Sequence, residues 1–189
     1  DPVLDAIGRA AKRGVKVRLL LDAGMHRTYP QPADSLARLR GVSVRFVDYR
    51  RLVGGVQHAK FMVVDGALVE TGSLNWTKNG FLFNYEGAYF LNDKKDAAGF
   101  SAFFDDMYES RLAQLVVPPA AAPELASDQQ LIDELKVEPP PPLPPPAWPQ
   151  MPESRTARLH NESFPANAVN PQHPIKDLII KAIDSSEGS

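Results

Sequence analysis

The sequence contains no cysteine, which excludes a disulfide framework, thiol catalysis and cysteine-ligated metal. That absence suits the cytosol, the periplasm or the outside of a cell equally, so it leaves the compartment undecided. Long apolar runs are missing too: no stretch has the length and apolarity of a membrane span, and no secretory signal opens the chain. The missing signal carries no weight, because the chain starts at Asp1 rather than at a methionine. Nor is there an excess of one sign of charge. With 21 basic and 23 acidic residues the formal net charge is −2, whereas a non-specific nucleic-acid binder is more often basic. Positive charge does gather locally, at Arg38, Arg40, Arg45, Arg50 and Arg51.

What is present suffices for one globular domain: 189 residues with 43% hydrophobic content. Most of the 18 prolines lie beyond Leu115, while the regular apolar periodicity lies before it. This asymmetry predicts one folded body and a long tail or linker.

Apolar residues at Val3, Leu4, Ile7, Ala10 and Ala11 have helical spacing, with Asp1 as cap, Pro2 at the first helical position and Gly14 as the stop. Val15 to Leu21 reads as a strand covered on both faces. A short helix over Ser35 to Leu39 and a strand over Val42 to Val47 follow. Ala59 to Val64 and Ala67 to Thr71 flank the turn dipeptide Asp65-Gly66 and predict a hairpin. Asn75 to Asn79 suggests a short helix or turn, and Tyr85 to Leu91 a strand. Asp93 to Leu115 contains a long helix with Phe100, Phe103, Phe104, Met107 and Leu112 inward. The fold class expected is α/β, a mixed β-sheet flanked by helices.

Past Val117 the proline runs favour extended polyproline backbone and cannot supply strand ladders. Leu125 to Val137 between them suits a short acidic helix. Ile175 to Ile183 closes the chain as an amphipathic helix that needs something to pack on, either the first domain or a further one.

Chemistry concentrates at His58. His58 and Lys60 are two residues apart at a strand start, so in extended backbone both point to one side. A neighbouring ammonium lowers the pKa of a histidine and favours the neutral, nucleophilic imidazole, and the lysine can hold a phosphate oxygen. Gly72-Ser73-Leu74-Asn75 follows the next strand; the Ser73 hydroxyl and Asn75 amide are neutral donors suited to non-bridging phosphate oxygens. Singly these are weak signals: a lone histidine at a strand start is usually structural, and Ser-Leu-Asn is an ordinary turn or cap.

Together, HAKFMVVDGALVETGSLN resembles the signature of the phospholipase D superfamily: His, any residue, Lys, four residues, Asp, six residues, Gly-Ser-any-Asn. The likeness extends over about residues 3 to 112, through AIGRAAKRGVKVRLLLD upstream and Trp76 and Asn84-Tyr85-Glu86 downstream. The resemblance implies that His58 either attacks phosphorus or protonates the leaving oxygen. Lys60 and Asn75 would be phosphate ligands, Ser73 a smaller contributor, and Glu86 the acid that holds the histidine ring in one tautomer. It implies no metal and no cofactor. Asp65 belongs to the motif, but the Asp-Gly turn explains it, and it is left out of the chemistry.

Enzymes of this family need two such histidines at one phosphate. This sequence holds one motif; neither His160 nor His173 has a lysine two residues on. The resemblance therefore implies a partner, either the remainder of the same gene product or a second copy, that supplies the second histidine. IKDLIIKAIDSSEGS is similar to the helix that opens a phospholipase D half. The organisation expected is most of one half over 1–115, a proline-rich linker over 116–172, and over 173–189 a helix opening a second half. No strand precedes Val3, so the phospholipase D-like sandwich would be incomplete in this chain, with a strand missing beside Val15 to Leu21.

The implied function is hydrolysis of a phosphodiester, phospholipid or nucleic acid, through a phosphohistidine, with this chain alone inactive. The alternatives are a nuclease of the same superfamily and a non-catalytic scaffold half. The run Phe81-Leu82-Phe83 is a candidate for acyl-chain contact, although a core role fits it better.

Overall fold

The computed structural model describes residues 2–116, 156–169 and 175–187. The helix expected over Leu125 to Val137 and the proline runs lie outside the described residues.

The chain opens with α1 (Pro2–Lys12), which buries Val3, Ala6, Ile7 and Ala10 along one stripe. Gly14, at φ 97°, turns the backbone out of the helix. Strand β1 (Val17–Asp22) pairs in parallel with β2 (Val42–Val47), and β2 pairs antiparallel with β6 (Ala113–Leu115). The crossover between β1 and β2 carries α2 (Ala23–Thr28) and α3 (Pro30–Ala37). The Asp22 side chain accepts from the amides of Gly24 and Met25, capping α2 where β1 ends.

A short helix α4 (Tyr49–Val53) leads to a second, antiparallel sheet of β3 (Phe61–Val64), β4 (Leu68–Gly72), β5 (Gly87–Leu91) and β9 (Asn167–Val169), in the order β3-β4-β5-β9. Asp65 and Gly66 both have positive φ, 52° and 59°, as a type I′ hairpin turn requires. Helix α5 (Lys78–Leu82) lies between β4 and β5, and α6 (Lys94–Tyr108) packs Phe100, Phe103 and Phe104 around the ring of Phe61. Leu112 lies beyond α6 and is 44% exposed, and Phe103, for all its contact with Phe61, is 48% exposed, so both fall outside the inward row expected of them.

The result is a mixed α/β arrangement with sheets flanked by helices, as the sequence predicts. The expected single sheet is divided among the described residues into these two and a separate two-stranded sheet: β1 forms one edge of the first and β3 one edge of the second.

The span expected as linker contains β7 (Thr156–Leu159), β8 (Glu162–Pro165) and β9, so the expected boundaries of 116–172 are too wide for a pure spacer. The physical reason is alternation: Ala157, Leu159 and Phe164 are buried, and the Phe164 ring stacks on Phe90 at 5.5 Å. The closing helix α7 (Ile175–Asp184) returns to α1, burying Ile175, Ile179, Ala182 and Ile183. Arg9 pairs with Asp184 at 2.8 Å, and Arg13 donates to the Ile183 carbonyl at 3.0 Å. The two helices thus end side by side. Asp65 is tied to this closing segment, accepting from His160 Nε2 at 3.0 Å and from the Glu187 amide at 2.8 Å.

Candidate active site

His58 precedes β3 in non-helical backbone and its side chain is exposed. Its approach is held from β1: the amide of Gln57 donates to Asp22 Oδ2 at 3.1 Å, and the Gln57 side chain reaches Met107 Sδ. Asp22 therefore joins the end of β1 to the segment carrying the histidine.

Lys60 is half-buried. Its Nζ donates to the His58 carbonyl at 2.7 Å, leaving two N–H groups for a ligand. Burial lowers the Lys60 pKa, and the charge of Glu86 opposes that shift. Behind it, the Lys60 carbonyl accepts from Thr71 Oγ1 and the Gly72 amide, which fixes the lysine against β4.

Ser73 and Asn75 are exposed on either side of Leu74, which is fully buried. The alternation anchors the loop by its leucine and turns both polar side chains outward. Two glycines make the geometry possible. A Cβ at Gly72 would stand 2.0 Å from the Gly87 carbonyl oxygen, and one at Gly80 would stand 2.2 Å from that of Asn75. The close β4–β5 approach lets the Ser73 amide donate to the Gly87 carbonyl at 3.1 Å and the Gly87 amide to Ser73 Oγ at 3.2 Å.

Glu86 is 9% exposed. Its carboxylate accepts from Ser73 Oγ at 2.5 Å and from Asn84 Nδ2 at 3.0 Å. Among the described residues no hydrogen bond engages the His58 imidazole. The structure thus joins Lys60, Ser73 and Glu86 at one end of the second sheet, brings Lys60 and Asn75 onto one groove, and ties the His58 backbone to Lys60. It does not place Glu86 on the histidine ring.

Sequence reasoning missed Asp22 and Asn84. Asn84 carried a local signal, an amide two residues from the acid; Asp22 carried only that of a helix cap.

Exposed apolar side chains cluster in sequence near these residues: Val56 before His58, and Leu82, Phe83 and Tyr85 around Asn84, all 49% exposed or more. Of the run expected in the core, Phe81 packs inward while Leu82 and Phe83 do not.

Residues 1–108 match the family described as cardiolipin synthase, PLD-like domain. The chain is 30% identical to mitochondrial cardiolipin hydrolase of Chlamydomonas reinhardtii over 109 residues, covering 58% of this chain and 47% of the relative. It is 34% identical to that of Xenopus laevis over 100 residues, covering 52% and 44%. The virion nicking-joining enzyme of vaccinia virus (strain Western Reserve) is 30% identical over 106 residues, 54% of this chain and 24% of the relative. Among solved structures, the phospholipase D family member Nuc from Salmonella typhimurium superposes with a TM-score of 0.52 at 28% identity, covering 60% of this chain and 72% of Nuc. The chain spans about half the length of the cardiolipin hydrolases it matches.

Proposed function

Since the chain belongs to the phospholipase D superfamily, we propose that it is the motif-bearing part of a phosphodiesterase acting through a phosphohistidine, with phospholipid as its substrate class. The observation that carries this reading is the meeting of Lys60, Ser73 and Glu86 beside His58, at the ends of three adjacent strands. Lys60, with the Asn75 amide on the same groove, can hold the non-bridging oxygens of a phosphodiester with one cation and one neutral donor, while Ser73 donates to Glu86.

In the proposed reaction a neutral imidazole attacks phosphorus in line. The bond from phosphorus to the leaving oxygen breaks as a second histidine protonates that oxygen. Water, deprotonated by the second histidine, then cleaves the phosphohistidine. His58 fills one of the two histidine roles; the other histidine comes from the remainder of the gene product or from a second copy. Lys60 and Asn75 hold the phosphate, Ser73 supports them, and Glu86 stabilises positive charge at the site.

Lipid is proposed over nucleic acid because Val56, Leu82, Phe83 and Tyr85, close in sequence to His58 and Glu86, are exposed apolar side chains. Cardiolipin hydrolases among the relatives agree with this choice, and the nicking-joining enzyme makes nucleic acid the natural control.

The test is hydrolysis of cardiolipin vesicles and of single-stranded DNA by an assembly holding both histidines, in excess chelator. The expected result is chelator-resistant cleavage of the lipid and a protein carrying the phosphatidyl group on histidine, both lost in His58→Ala. Preferential cleavage of DNA would overturn the substrate class. Activity lost to chelator and restored by a divalent ion would overturn the phosphohistidine.

A further inference from the structure

Two short helices, one on each of the segments that carry the site residues, present a cation and an aliphatic side chain together. In α4, Arg50 and Val53 are three residues apart and both exposed, Val53 at 78%. In α5, Lys78 and Leu82 are four residues apart and both exposed, while Gly80 is buried and Phe81 packs on the core. Side chains three or four apart are neighbours on a helix surface. Arg51 and Val56 extend the first set and Phe83 the second, and all three are exposed.

Register puts the two sets at one end of the second sheet. The segment 49–60 enters β3 at Phe61, whose partner is Thr71 near the end of β4. The segment 73–86 leaves β4 after Gly72, whose partner is Ala88 near the start of β5. The entry of β3, the exit of β4 and the entry of β5 therefore coincide, as antiparallel neighbours require. His58 and Lys60 come from the first of these segments, and Ser73, Asn75 and Glu86 from the second.

The exposed charge of these segments has one sign. From Tyr49 to Tyr85 the acids are Asp65 and Glu70 alone. Asp65 turns the far end of the β3–β4 hairpin, where it accepts from His160, and Glu70 is buried. Asp48, just ahead of α4, pairs with Arg27. Among the described residues no ion pair engages Arg50, Arg51 or Lys78.

We propose, on the lipid reading of the site, that this end of the second sheet docks on the surface of an anionic phospholipid bilayer. Arg50, Arg51 and Lys78 meet headgroup phosphates, and Val53, Val56, Leu82 and Phe83 enter the boundary between headgroups and acyl chains. Cations mixed with apolar side chains, with no exposed acid among them, match a surface that is anionic outside and apolar just beneath. A nucleic-acid strand would pair with the cations and stack on Phe83, but it would leave Val53, Val56 and Leu82 in water. A second copy placed on the same face by a two-fold axis would set cations against cations. Docking in this way brings exposed His58, two residues from Val56, to the depth of the phosphodiesters, so a lipid is attacked without leaving the bilayer.

The experiment reads binding without turnover. The assembly holding both histidines, with His58→Ala, is sedimented with vesicles of phosphatidylcholine alone and of phosphatidylcholine with phosphatidylglycerol. It should bind the anionic vesicles, and less so as salt is raised. Arg50→Gln with Arg51→Gln should weaken that binding about tenfold or more, and Val53→Ser with Leu82→Ser should do the same. Lys94→Gln with Lys95→Gln is the control: both lysines are exposed at the start of α6, which follows the far end of β5, and binding should match the parent. Equal losses in the two charge variants would mean diffuse attraction and overturn the surface. Unchanged vesicle binding in Val53→Ser with Leu82→Ser, or dissociation of the assembly in that variant, would assign these side chains to the partner and overturn it too. So would tighter binding of single-stranded DNA than of anionic vesicles, lost in the arginine variant. Hydrolysis of dispersed short-chain phospholipid by the active assembly separates the two readings. If it persists where vesicle binding is absent, the docking surface falls and the lipid substrate stands; if vesicles bind as expected and no phospholipid is cleaved, the docking surface stands and the lipid substrate falls.

Discussion

The Ser73 hydroxyl donates to Oε2 of Glu86 at 2.5 Å, and this bond spans the exit of β4 and the start of β5. Asn84 takes the other oxygen at 3.0 Å. A nearly buried carboxylate thus has both oxygens satisfied within its own sheet, as a group removed from water requires. Ser73 consequently acts through Glu86, because its one hydroxyl hydrogen is donated there. Replacing it should loosen the acid, whose charge bears on Lys60.

Ser73→Ala is expected to lower kcat of the assembled enzyme by about ten- to a hundredfold while leaving KM nearly unchanged, and Ser73→Thr should restore much of the loss. Steady-state kinetics on vesicles checks this. Wild-type kcat in Ser73→Ala would show that the bond is structural only.

The two glycines give a steric prediction. Alanine at Gly72 or Gly80 puts a Cβ at 2.0 or 2.2 Å from a carbonyl oxygen, and the obstacle in both cases is backbone. Each substitution should cost about 1–3 kcal/mol in urea unfolding, and Gly80→Ala should also weaken binding of vanadate by displacing Asn75. Gly99→Ala in α6 is the control: nothing lies within 4 Å of its Cβ, and replacing a helical glycine should stabilise by roughly 0.5–1 kcal/mol.

Legibility in the sequence followed the length and regularity of each segment. The stripes of α1 and α7 and the strand Val42–Val47 were readable because each repeats its period over several residues. The hairpin was readable from Asp65-Gly66, whose positive φ values match the turn chemistry. Strands β7, β8 and β9 were not, because three or four residues in a proline-rich context give too short a pattern. The motif residues were all visible, but who holds whom was not. Ser73 meets Glu86 through the β4–β5 register that sets Gly72 opposite Ala88, and Gln57 meets Asp22 across 35 residues; no local spacing encodes either contact.

The docking of α7 on α1 can be tested by separating its apolar and ionic parts. Ile179 is fully buried, so Ile179→Ala should destabilise the chain by about 2–5 kcal/mol. The Arg9–Asp184 pair is 49% and 36% exposed, and Arg9→Ala should leave the unfolding midpoint unchanged because solvent screens such pairs. Equal losses in the two variants would mean that the ion pair, and not the apolar stripe, seats the helix.

Glu70 makes stability depend on pH. It sits in the middle of β4, opposite Met62 and Phe90, is 1% exposed, and among the described residues neither carboxylate oxygen has a hydrogen-bond partner. Burial pushes its pKa up from 4.5 to about 8. The folded chain therefore keeps a proton that the unfolded chain has released. Between about pH 4.5 and pH 8 the native state binds more protons than the unfolded one, and stability falls as pH rises, by at most about 1.4 kcal/mol per pH unit. Below that window the carboxyl is neutral in both states and contributes no pH dependence; above it the buried charge is present in full. His160, whose pKa is raised chiefly by its hydrogen bond to Asp65, titrates in an overlapping range and also loses its contribution as pH rises. The measurement must therefore be a difference. Urea midpoints of the wild type and of Glu70→Gln are compared from pH 5 to pH 8, so that every other group cancels. The gap should widen in favour of the glutamine variant as pH increases. Parallel curves across that range would mean that Glu70 is ionised in the folded chain and has found a partner.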